Sequence, residues 1–111
     1  MQIDKSLIDK KLGMVFREFR LENKYTQEQI AEKLGITAKY ISRIENGTSG
    51  VSQLTIINYM NILGISPNTL YASFITNEKI KAQIKISEDI SRLSSNQIEF
   101  ISNMIEKLKK L

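Results

Sequence analysis

At 111 residues, with one proline and no cysteine, histidine or tryptophan, the chain is sized for one small domain, or a small domain with an appendage. The missing thiols and imidazoles exclude disulfide scaffolds, thiolate zinc sites and every Ser-His-Asp or Cys-His mechanism. With 41% hydrophobic but only 7% aromatic residues the core must be built of Ile and Leu, and a net charge of +4 leans mildly towards polyanionic partners.

No apolar run approaches the roughly 20 residues that span a bilayer, and the opening MQIDKSLIDKK has no apolar signal-peptide centre. The expected address is cytoplasmic. Period-two runs of Val, Thr and Tyr are absent, so the chain reads as all-α. The first helix is expected from about Lys5 to Asn23, with Leu7, Ile8, Leu12, Val15, Phe16 and Phe19 at helical spacing. After a short link, Lys24-Tyr25, Thr26 sits as an N-cap with Gln29 three residues on, a capping box. It opens a second helix to Leu34 with Ile30, Ala31 and Leu34 inward, and Gly35 supplies its C-cap and the turn. Thr37 caps a third helix to about Asn46, with Ile41 and Ile44 inward, and Asn46-Gly47 stops it. Ser52 caps a fourth helix to Leu63 that carries Leu54, Ile56, Ile57, Tyr59, Met60 and Leu63. Gly64 ends it, and Ser66-Pro67 starts a short fifth helix.

Beyond Pro67 there is neither Gly nor Pro. Two more helices are expected there, about Asn77 to Leu93 and about Asn96 to the end, with Ser94 or Ser95 capping the second. The spacing predicts a helix-turn-helix unit over residues 1–74 and a C-terminal helical hairpin over residues 75–111. Ile98, Ile101, Met104, Ile105 and Leu108 give the last helix an apolar face too wide to stay alone in water. It can fold back on the first domain, or pair with a second copy or a different protein. Pairing between copies is the expectation.

The stretch TQEQIAEKLGITAKYISRIENG (Thr26 to Gly47) sets two short helices at a steep angle across a glycine turn. The second becomes a rod about 10–12 Å across, which fits a major groove about 12 Å wide. With Ile41 and Ile44 buried, Ala38, Lys39, Ser42, Arg43 and Asn46 point outward, with Tyr40 on the flank. Arg43 can donate a bidentate pair to guanine, Lys39 can donate to guanine or phosphate, and Ala38 can offer a methyl group to thymine. Tyr40 can either pack or reach a phosphate. Gln27, at the start of the preceding helix, suits phosphate through the helix dipole, and the N-cap Thr37 is a further candidate DNA contact.

Residues 12–71 resemble the Cro/phage-repressor, or xenobiotic-response-element, type of helix-turn-helix regulator. LGMVFREFR, YTQEQIAEKLGIT, YISRIENG and LGISPNTLY carry the resemblance. It implies five packed helices and a dimer that controls transcription from double-stranded DNA. It implies phosphate contact at Gln27, base reading by Ala38, Lys39, Ser42 and Arg43, and backbone contact at Asn46. It also implies a partly buried ion pair, Arg20 with Glu45, tying the first helix to the third. One departure is the loop Thr48-Ser49-Gly50-Val51, where relatives often carry basic residues and have proline at the Val51 position. Its lack of charge implies fewer phosphate contacts and a shallower salt dependence.

Basic residues are spread: residues 1–74 hold 9 Lys/Arg against 7 Asp/Glu, and residues 75–111 hold 7 against 5. Affinity for DNA must then rest on placement. Carboxylates scattered over helix surfaces, with no phosphate-cradling glycine loop, argue against an enzyme, and no cofactor or metal is expected. The layout is also similar to small Gram-positive developmental repressors whose C-terminal hairpin is taken over by a protein antagonist. The weakly basic loop after Gly47 motivates the alternative reading, a protein-interaction module that sequesters a related repressor through its tail.

Overall fold

The computed structural model describes residues 3–111. Among them run seven α-helices and a 3₁₀ turn: α1 (Lys5–Glu22), α2 (Gln27–Leu34), α3 (Ala38–Glu45), α4 (Gln53–Leu63), α5 (Pro67–Tyr71), the 3₁₀ turn (Ala72–Phe74), α6 (Glu78–Ser91) and α7 (Ser95–Lys109). No strand occurs among the described residues. The protein is all-α, a helix-turn-helix domain followed by two C-terminal helices.

Local chemistry sets the helix starts. Asp4, Thr26, Thr37, Ser52, Ser66, Asn77 and Ser94 each hold an extended backbone, and each side chain accepts the N–H three residues on. Two starts are full capping boxes: Thr26 with Gln29, and Ser94 with Gln97. Ser94 rather than Ser95 is therefore the cap of α7. The helix ends expected at Asn23, Asn46 and Leu93 fall one or two residues earlier, because Asn23, Asn46 and Arg92 are caps and not helical residues.

The α1 terminus carries a feature the sequence conceals. Lys24 takes a left-handed φ of 59°, normally glycine's place. Lys24 N–H donates to the Leu21 carbonyl and Tyr25 N–H to that of Arg20, the crossed pair of bonds that closes a helix end.

The chain divides into two compact units, one ending at Phe74 and one beginning at Ile75. The first has a true core. Leu12 and Phe16 of α1, Ile30 and Ala31 of α2, Ile41 and Ile44 of α3, Tyr59 and Leu63 of α4, Ile65 and Leu70 are all buried. Phe16 and Tyr59 stack with ring centroids 4.0 Å apart, so scarce aromatics are concentrated at the centre. Helix α1 packs closely on α3 because Gly13 has no side chain. A Cβ there would strike the carbonyl oxygen of Ile44 and lie 3.0 Å from that of Glu45.

In the second unit neither helix has a buried residue. Ile84, Ile90, Leu93 and Ile101 are half-buried, while Ile98, Met104, Ile105 and Leu108 are 40–62% exposed. No helix among the described residues is long and apolar enough to cross a membrane.

Candidate nucleic-acid interface

The interface begins with the turn between α2 and α3. Gly35 adopts φ 68°, and Ile36 N–H donates to the Ala31 carbonyl at 3.0 Å. That closure lets Thr37 start α3 at once, its hydroxyl oxygen accepting Tyr40 N–H at 3.1 Å. Helix α3 buries Ile41, Ile44 and Glu45 and leaves Lys39, Arg43 and Asn46 exposed. Thr37 is exposed as well, and Ser42 is half-buried on the same side. Ala38 differs from the sequence expectation. It is half-buried and packed against the core, so it presents only part of its methyl surface.

What holds this helix in place is electrostatic as well as apolar. Arg20 Nε donates to Glu45 Oε2 at 2.7 Å and Nη2 to Oε1 at 2.9 Å. Nη1 donates to the Tyr25 carbonyl at 2.8 Å. Both side chains are buried, so the pair is bidentate, shielded from water, and joins α1 to the end of α3. The hydrogen bond to Glu45 holds the Arg20 guanidinium above its ordinary pKa, outweighing the opposing effect of burial.

Two flanking residues are engaged within the fold. Gln27 is half-buried and its Nε2 donates to Glu45 Oε1 at 3.4 Å. Its carboxamide is thus turned towards the ion pair, leaving one further N–H for a phosphate. Tyr40, expected among the DNA-contacting residues, commits its only hydroxyl proton to the Gly50 carbonyl at 3.0 Å. The phenol thus braces the loop after α3, the packing role of the two that the sequence left open.

Sequence reasoning missed the basic residues that α1 brings to the same loop. Lys10 lies against Gly47, and the Lys5 ammonium lies beside Gly50 while also pairing with Asp9 at 3.6 Å. Nothing local in the sequence links residues 5–10 to residues 47–50. Only the close approach at Gly13 does. The uncharged loop is thereby flanked by lysines from another helix.

A helix-turn-helix family model matches residues 16–70. The clp gene regulator ClgR from Corynebacterium glutamicum has a similar solved structure, with TM-score 0.54 and 27% identity, covering 78% of this chain and 88% of that one. No curated protein matches the chain.

Proposed function

Through residues 16–70 the chain belongs to the Cro/C1-type helix-turn-helix family of DNA-binding transcriptional regulators, and from that premise we propose that it acts as a dimeric repressor at a palindromic operator. Arg43, Lys39, Ser42 and the accessible part of Ala38 read base edges in the major groove. Asn46, Thr37 and Gln27 fix the register on phosphates, and Lys5 and Lys10 add phosphate contacts beside the loop after α3.

The observation that carries this reading is the division of α3. Its inner side is pinned by Ile41, Ile44 and the Arg20–Glu45 pair, while its outer side offers Lys39, Arg43 and Asn46 to solvent. A donor-rich helix held rigidly at the surface is what base reading requires. Pairing through Ile98, Ile101, Met104, Ile105 and Leu108 covers the apolar face of α7 and gives the operator its two-fold symmetry. Repression follows by occlusion of polymerase.

Selection of bound duplexes from a random DNA pool at near-physiological salt tests the proposal. The expected outcome is an inverted repeat with half-site centres about 10 base pairs apart, or a multiple of that. Enrichment of no sequence, with binding that fades uniformly as salt rises, would overturn it in favour of a module that sequesters a related repressor through α7.

A further inference from the structure

The loop after α3 is fastened along that helix. Thr48 donates its N–H and its hydroxyl to the Arg43 carbonyl at 3.0 and 3.3 Å, and the Gly50 carbonyl accepts the Tyr40 hydroxyl. From Asn46 to Asn77 the sequence contains no Asp, Glu, Lys or Arg, so the charges beside Gly47 and Gly50 come from α1. Lys10 packs on Gly47. At Gly50 a Cβ would lie 3.2 Å from Lys5 Nζ and 3.9 Å from Asp9 Oδ1. A carboxylate therefore stands among the lysines that border the proposed DNA surface.

Helix stability does not account for the pairing of that carboxylate with Lys5. Lys5 opens α1, where the positive end of the helix dipole disfavours a cation, and the first turn has no acid to offset it. A base placed four residues before its acid is also the weaker order for a helical pair. The two side chains differ in freedom as well. Lys5 is 82% exposed and Asp9 14%, with 3.6 Å between Nζ and Oδ2. The ammonium can swing in solvent, whereas the carboxylate is held against the loop.

We propose that Asp9 limits the sequence-independent part of DNA binding. Its fixed negative charge cancels that of Lys5, so a phosphate approaching Gly50 meets a neutral pair, and Lys10 supplies the net attraction there. The inference rests on the DNA-binding reading above and deepens it, since the Lys5 contact is offset by its neighbour. Attraction common to all duplexes grows with the number of phosphates neutralised and the counterions released. With one such contribution cancelled, occupancy of a site depends more heavily on the bases that α3 reads.

The test uses the full-length chain and a labelled duplex of random sequence, titrated between about 50 and 200 mM salt. Asp9→Asn keeps the side chain's size and should bind about threefold or more tightly at the low-salt end, with a salt slope steeper by about one unit per protomer. Lys5→Gln should move both quantities the opposite way. The double variant Lys5→Gln/Asp9→Asn loses the whole pair and should match the wild-type slope. Circular dichroism melts check that each variant is folded, and Asp9→Ser is a second neutral replacement. If Asp9→Asn weakens binding, Asp9 aims Lys5 at phosphate. If it changes nothing, the pair lies off the DNA. Either result overturns the inference. A wild type that binds no duplex even at low salt overturns the DNA-binding reading and the inference with it. A wild type whose slope falls with Lys10→Ala, yet does not steepen with Asp9→Asn, overturns the inference alone.

Discussion

Arg43 and Lys10 make opposite predictions although both are basic. Arg43→Ala removes a bidentate donor from the outer face of α3 and should cost about 1–3 kcal/mol at the operator while relaxing choice at one base pair. Lys10→Ala should weaken all duplexes alike and lower the salt slope by about one unit. Competition titrations over single-base operator variants at several salt concentrations separate the two behaviours. Glu45 belongs with the scaffold. Its removal strands a buried guanidinium, so Glu45→Ala should lose about 3–5 kcal/mol in denaturant unfolding, whereas replacing both partners by apolar residues of similar size should be nearly neutral. Tyr59 gives the contrary case. Its ring is fully buried and its hydroxyl has no hydrogen-bond partner, so Tyr59→Phe should leave stability at pH 7 unchanged or higher. Burial, the largest influence, pushes the phenol pKa up, with Glu45 adding to the shift. A raised folded pKa means that stability is fully present below the unfolded tyrosine value of about 10 and is lost as pH rises beyond it. The wild type should therefore lose stability above that pH more steeply than Tyr59→Phe, as followed by circular dichroism.

Among the elements, α1 against α3 is the packing on which the proposed recognition depends. Gly13→Ala forces a methyl group into the carbonyls of Ile44 and Glu45, which do not yield as a flexible side chain would. It should cost at least about 1–3 kcal/mol. The same change at Gly64, where φ is 69° and an added Cβ would meet no neighbouring atom within 4 Å, should cost about 1–2 kcal/mol through backbone strain alone. Thermal melts of the two variants read the difference. These elements also show what a sequence reveals. The starts of α2, α3 and α4 were legible because each cap is a contact over three residues, as in Thr26 with Gln29. The role of Gly13 was not legible, since it is set by a carbonyl some thirty positions away. Helix α4 was legible as a helix, but its faces were not. A segment apolar nearly all round has no periodic signal to say that Tyr59 goes in and Leu54 stays out. Lys10 and Lys5 beside the loop after α3 were hidden for the same reason as Gly13. Their neighbours are tertiary.

At the scale of the whole molecule, the two units differ in what keeps them folded. The unit up to Phe74 has its own core, whereas α6 and α7 bury no residue. Helices of 14 and 15 residues are marginal alone in water, so the tail should draw its stability from association. On the proposed pairing through α7, the wild type should sediment as a dimer and Ile105→Asp as a monomer, and the helical signal of the wild type should fall on dilution while that of the variant stays low. This has a bearing on turnover inside a cell. Proteases cut segments that open readily, and on the proposed pairing a companion chain would keep the backbone between Glu78 and Lys109 closed. Newly made copies at low abundance would be trimmed before meeting one another, and abundant copies would shelter each other. The lifetime of a regulator that pairs in this way would then rise with its own dose, sharpening the threshold at which it acts.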